Sequence, residues 1–239
     1  MSEVKNQAKY APFFQQLSRE NQHILLIHGT AMTARAGQTL FYEGEEAKYI
    51  YLIQKGIVRL SKMTIENKKF FLHQKQEGDI AGEFSLFNDM SCSMTAEVVS
   101  DAELMKFERK DLEALFSQNG EIATAFIKLF ARNTQLTQAK FSDLLLYGKT
   151  GALYSILIRF ANSYGEERQT GILIDWKLTN QDLAHFTGTS RETVNRMLND
   201  LKRNNIISVK KGCILIKDID FLREHLHCEK CPLERCTIS

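Results

Sequence analysis

Leu178-Thr179-Asn180-Gln181-Asp182-Leu183-Ala184-His185-Phe186-Thr187-Gly188-Thr189-Ser190-Arg191-Glu192-Thr193-Val194-Asn195-Arg196-Met197-Leu198 reads as two helices joined by a tight turn. Thr179 stands where a hydroxyl can cap the first helix. Ala184 is small, as two crossing helices require at their contact. Gly188 tolerates the left-handed backbone of the turn. Ser190, or Thr189 with Glu192 three residues on, is placed to cap the second helix. Val194, Met197, Leu198 and Leu201 give that helix a buried stripe. Arg191, Glu192, Asn195 and Arg196 fall on the other side, near its start, with Ser190 at its head.

A helix of this kind presents side chains to base edges in a major groove. Arginine can bond guanine O6 and N7 in a fork, and glutamate can accept from cytosine N4. Lys202, Arg203, Lys210 and Lys211 are placed to meet phosphates. Between residues 191 and 211 six Lys/Arg face only Glu192 and Asp200. A solvated charged helix would carry similar residues, but not the turn, the caps and the small contact residue as well.

Working outward, residues 206–210 and 213–217 read as a hairpin turning at Lys211-Gly212. Upstream lie an apolar helix at 152–163, a polar loop containing Gly165 and Gly171, and a short strand at 172–175. The order helix, strand, helix, helix, hairpin is that of a winged helix-turn-helix, expected over 148–224. Gly148 and Gly151 punctuate its beginning.

Before it, a helical stretch runs from about Lys110 to Leu146. Ile122, Phe126, Leu129, Asn133 and Leu136 are spaced 4, 3, 4, 3, the spacing of a coiled-coil seam. The expectation is a dimerisation helix over 109–147, with polar Asn133 setting register. The alternative is that the stripe packs on the preceding domain. Residues 1–108 begin with helices around Phe13, Leu17, Ile24, Leu25 and Ile27, where Ser18 can cap the second and Gly29 stops it. Short strands follow at 39–42, 49–53, 57–64, 69–73, 97–99 and 104–107. They are separated by Glu43-Gly44, Lys55-Gly56, Glu66-Asn67 and Gly78-Asp79, which argues for a β-sandwich or barrel. The fold class is thus α+β.

The chain has 239 residues, 44% hydrophobic and 25% charged, with formal net charge +2. These values suit a globular protein and leave any basic surface to be found locally. No apolar run is long enough to span a bilayer, and no secretory signal is visible, so a cytoplasmic location without membrane contact is expected. No P-loop, nucleophile elbow or HExxH pattern points to an enzyme. Of five cysteines, Cys92 and Cys213 are singletons read as packing residues. The other three, Cys228, Cys231 and Cys236, form a C-x2-C-x4-C tail over 225–239. In a reducing compartment such a cluster reads as a soft-metal site rather than disulfides. Spacing alone leaves zinc, with His225 or His227, level with an iron–sulfur cluster.

With these motifs in view, the chain resembles the CRP/FNR family of bacterial transcription regulators over nearly its whole length. The resemblance implies an N-terminal cyclic-nucleotide-binding-like β-roll (a jelly roll), a long dimerisation helix and a DNA-reading wing domain. Gly82-Glu83-Phe84-Ser85-Leu86-Phe87 is similar to the family's G-E-x-x-L-F signature. The arginine that pairs with a cyclic phosphate in nucleotide-binding members is replaced by Ser93, followed by Met94. No cyclic nucleotide is therefore expected, since a buried phosphate needs a cation, and Glu83 reads as a turn residue kept by the fold.

Arg191, Glu192 and Arg196 resemble a reading head for TGTGA half-sites, so a palindromic double-stranded operator, a homodimer and RNA polymerase are the implied partners. The tail resembles that of Bacillus-type Fnr proteins. That likeness implies one [4Fe–4S] cluster per subunit, held by Cys228, Cys231, Cys236 and Asp143, and oxygen-dependent control of anaerobic metabolism genes. Asp143 could instead simply cap the next helix. A structural zinc tail beneath a roll gated by another small effector is the alternative.

Overall fold

The computed structural model describes residues 12–66, 68–86, 91–228 and 236–238. They fall into two compact units, one ending at Thr134 and the other spanning Gln135–Ile238.

The first unit opens with α1 (Phe13–Gln16) and α2 (Arg19–Ile27). Ser18 caps α2, its hydroxyl accepting from the Asn21 N–H at 3.2 Å. The strands are β1 (Thr30–Ala34), β2 (Thr39–Phe41), β3 (Tyr49–Met63), β4 (Lys69–Lys75), β5 (Ile80–Ala81) and β6 (Thr95–Glu108). They pair antiparallel in the order β1-β6-β3-β4, with β2 on β6 and β5 on β3. The expected strands at 49–53 and 57–64 are one strand. The break at Lys55-Gly56 is a bulge within it, where the register against β6 shifts and Gly56 takes φ 95°. Likewise 97–99 and 104–107 join into β6. β1 and β5 escaped the pattern because neither carries a run of apolar residues.

Alternation along β3 sorts the core. Ile50 and Leu52 point to a cluster with Phe13, Leu25, Phe107 and Leu112. Tyr51, Ile53, Val58 and Leu60 point to the other, with Ala96, Val98 and Leu104.

α3 (Arg109–Gln118) and α4 (Gly120–Tyr164) are separate helices, not one stretch. Extended Asn119 (φ −130°) breaks them, and its side-chain oxygen accepts from the Ile122 N–H at 3.1 Å. α4 is interrupted only at Gly148 (φ 61°, ψ −159°).

The proposed dimer seam is corrected here. Ile122, Phe126 and Leu129 are at most 1% exposed within this single chain, in the cluster of Phe13 and Leu112. Leu136 is also fully buried. Asn133 donates to the buried Glu83 carboxylate at 2.7 Å, so its polarity serves an internal bond rather than register between copies. A heptad stripe records burial and does not name the partner. α4 carries a second apolar stripe. Ile127, Phe130, Phe141 and Leu145 are all exposed, with Ile127, Thr134 and Phe141 at seven-residue intervals. It lies about 120° round the helix from the first.

The second unit adds β7 (Gly165–Arg168), β8 (Gly171–Ile174), α5 (Asn180–Thr187), α6 (Arg191–Arg203), β9 (Ile207–Lys210), β10 (Cys213–Ile216) and α7 (Ile219–His225). The sheet order is β7-β8-β10-β9, all antiparallel. The sequence reads as loop here, since Gly165-Glu166-Glu167-Arg168 has no apolar alternation. Pairing with β8 makes it a strand. No helix among the described residues is long and apolar enough to cross a membrane.

Candidate functional site

α5 begins with a full capping box. The Thr179 hydroxyl accepts from the Asp182 N–H, and the Asp182 carboxylate accepts from the Thr179 N–H. Gly188 ends the helix at φ 62°, ψ 28°, the left-handed turn its sequence position requires. Of the two cap alternatives it is Ser190 that caps α6, accepting from the Thr193 N–H at 3.2 Å. Ala184, Val194, Leu198 and Leu201 are buried.

Arg191, Glu192, Asn195 and Arg196 are all exposed, and so are Ser190, Lys202, Lys210 and Lys211. Glu192 lies below the usual carboxylate range, held there by hydrogen bonds from its own backbone N–H and from Ser190. It is therefore an anionic acceptor at neutral pH. Asn195 differs from the other three, because its side-chain oxygen accepts from the Asn180 amide at 3.1 Å. That bond ties α6 to α5 and commits one of the groups an adenine contact would use. Lys211 (φ 54°) and Gly212 (φ 85°) form the two-residue turn between β9 and β10, as a hairpin with both residues at positive φ requires. The wing tip thus carries two adjacent lysines, Lys210 and Lys211.

Both described ends of the tail pack on α4. At its root, where α7 ends, His225 and His227 lie against Tyr147, with ring centroids 6.4 and 6.0 Å apart. A Cβ on Gly151 would lie 3.2 Å from Leu226 and 3.3 Å from the Asp143 carbonyl oxygen. In the sequence Gly151 reads as a break. It is instead a helical residue whose missing side chain admits the tail root beside Asp143.

The far end is fixed as firmly. Asn162 donates to the Cys236 carbonyl at 2.8 Å, and the Ile238 N–H donates to the Ser163 hydroxyl at 3.1 Å. Cys236 and Ile238 are buried. Asp143 does not cap a helix. It accepts from the Ser155 hydroxyl at 2.6 Å and from Arg159 at 3.3 Å. Arg159 went unnoticed in the sequence, because an arginine in an apolar helix resembles any charged surface residue. Cys231 lies outside the described residues. Among the described residues no three His, Cys, Asp or Glu side chains gather around one point. The thiols of Cys228 and Cys236, from the two tail segments described, are soft-metal donors, and Asp143 adds a hard carboxylate beside Arg159, which also bonds the Thr237 carbonyl.

In the roll, Glu83 starts a single 3₁₀ turn (Glu83–Ser85). Its carboxylate pairs with Lys75 at 3.0 Å, both side chains at most 1% exposed, and accepts from Asn133. Phe87 of the roll motif lies outside the described residues. Cys92 is buried, and burial pushes its thiol up. Cys213 is half-buried in β10.

A two-cluster β-roll followed by a winged helix-turn-helix with a capped, cationic reading helix defines a DNA-binding regulator. Family models agree. Residues 31–119 match the cyclic nucleotide-binding domain and residues 152–225 the Crp-like helix-turn-helix domain. The chain belongs to the CRP/FNR family of transcription regulators and is not an enzyme. It is 45% identical to the anaerobic regulatory protein of Bacillus subtilis, over 84% of this chain and 85% of that one. The cyclic AMP receptor protein of Thermus thermophilus is 27% identical over 90% of this chain and 97% of its own. Among solved structures, the c-di-GMP responsive regulator CLP of Xanthomonas campestris superposes with a TM-score of 0.77 at 18% identity. It covers 84% of this chain and 100% of its own, and supports the fold alone.

Proposed function

We propose that this regulator senses oxygen through a [4Fe–4S] cluster held by Cys228, Cys231, Cys236 and Asp143, and binds a TGTGA-type palindrome as a homodimer while the cluster is intact. The observation that carries this is the seating of both described ends of the cysteine tail on α4 around Asp143, in the unit that presents the reading helix. The 45% identity to an anaerobic regulatory protein supports the same conclusion. When bound, such a cluster supplies an oxygen-labile link between thiolate and carboxylate ligands. The chain's own residues do the rest. Arg191, Glu192 and Arg196 meet base edges, while Lys202, Lys210 and Lys211 meet phosphates. A carboxylate is a harder and weaker iron ligand than a thiolate, which favours ready loss at Asp143.

The exposed face of α4, with Ile127, Phe130, Phe141 and Leu145, is where a second copy docks. Four large apolar side chains in water at helical spacing need cover, and a palindromic operator needs two copies of this chain. RNA polymerase is the onward partner of such a regulator. The roll binds no cyclic nucleotide, because Lys75 is already spent on Glu83 and Ser93 offers a phosphate no charge.

The test is the operator affinity of anaerobically reconstituted protein beside that of the metal-free form. Tight binding by the first and at least tenfold weaker binding by the second are expected. A colourless protein containing stoichiometric zinc would favour the structural-zinc alternative.

A further inference from the structure

Arg159 is the largest fully buried side chain among the described residues. Its guanidinium reaches three segments. Nε–H donates to the Ser155 hydroxyl at 3.1 Å, Nη2–H to Asp143 Oδ2 at 3.3 Å, and Nη1–H to the Thr237 carbonyl at 3.4 Å. Ser155 in turn donates to the same Oδ2 at 2.6 Å.

Both donors thus use one carboxylate oxygen, and Oδ1 takes no hydrogen bond from the described residues. A purely structural Arg–Asp bridge commonly uses both oxygens in a fork. A carboxylate that binds a metal is instead held by hydrogen bonds from its surroundings while an oxygen is left for the ion. Removing Asp143 from Arg159 altogether would leave a buried guanidinium without its anion, which is strongly destabilising. Keeping Oδ2 on Arg159 while Oδ1 binds elsewhere avoids that.

We propose that Arg159 is the positioning residue of the tail's metal site: it fixes Asp143 through Oδ2 and leaves Oδ1 for iron, and it clamps the segment carrying Cys236 through the Thr237 carbonyl. The first half rests on the cluster reading above; the second does not.

Two measurements separate them. In metal-free protein, iodoacetamide alkylation of Cys236 is followed by peptide mass spectrometry. Arg159→Gln should speed it about tenfold, as a loss of local anchoring does. Arg159→Lys should restore part of the protection, and Ser155→Ala, which does not touch the tail, should leave the rate unchanged. In anaerobically reconstituted protein, iron loss to a chelator is timed. Arg159→Gln and Ser155→Ala should each accelerate it about 10- to 100-fold, and neither should add to Asp143→Ala.

Alkylation at the wild-type rate in Arg159→Gln overturns the clamp. Wild-type iron retention in both Arg159→Gln and Ser155→Ala overturns the positioning role. If wild-type protein takes up no iron, the cluster reading and the positioning role fall together, and alkylation alone decides the clamp.

Discussion

The proposed function gives base recognition to three side chains on α6, and they should respond individually. Arg191→Ala, Glu192→Ala and Arg196→Ala should each lose about 1–3 kcal/mol at a TGTGA half-site and relax the preference at one base pair. Asn195→Ala should lose less, because its side-chain oxygen is bonded to Asn180. Lys211→Ala at the wing should weaken binding evenly across sequences and lower the salt slope by about one. Fluorescence anisotropy against single-substituted operators reads all five. The caps and the Gly188 turn were legible because each backbone geometry there demands a short list of residue types. Arg159 was not, because its partners come from residues 16 and 4 positions upstream on α4 and 78 positions downstream in the tail.

Elements divide the roles of α4 between two faces. Ile122→Ala or Leu129→Ala opens a cavity in the first unit's core and should destabilise folding by about 2–5 kcal/mol in chemical denaturation. Phe141→Glu or Leu145→Glu alters an exposed side chain instead. Either should leave far-ultraviolet circular dichroism unchanged while shifting sedimentation from dimer to monomer. A dimer that survives both would remove the second stripe from the interface. The sequence showed a helical stretch from about 110 to 146 with its heptad spacing plainly, though not the break at Asn119 or the continuation to Tyr164. It could not show which of two stripes turns inward, since Ile122, Phe126 and Leu129 are as apolar as Ile127, Phe130 and Phe141. Three-dimensional neighbours decide that, and Phe13 and Leu112 take the first. The wing and reading helix were legible for the opposite reason, since their signals are local.

At the scale of the whole molecule, a buried charge cluster should make stability depend on pH. Burial raises Asp79 above the ordinary carboxylate value, against the opposing pull of Lys75 and Arg132. The folded state then holds this proton more tightly than the unfolded one. Its contribution is fully present below the unfolded value and is lost as pH rises through the folded one. Asp79→Asn keeps an acceptor for the Gln76 N–H, which lies 3.0 Å away. It should flatten that component of a melting-temperature series run from acid to neutral pH. A variant series parallel to wild type would show that folding does not shift the titration of Asp79.

In the proposed function the tail is the switch. Cys228, Cys236 and Asp143 belong to the unit that carries the reading helix, so under the proposed function the loss of a metal held there would be felt where DNA is read. The most direct test is a single titration of a palindromic TGTGA operator, carried out anaerobically with iron-loaded protein and repeated on the same sample after exposure to air. The account predicts tight binding first, then an affinity at least tenfold weaker as the brown colour and about four iron per subunit are lost. Equal affinity before and after, with the iron gone, would contradict it.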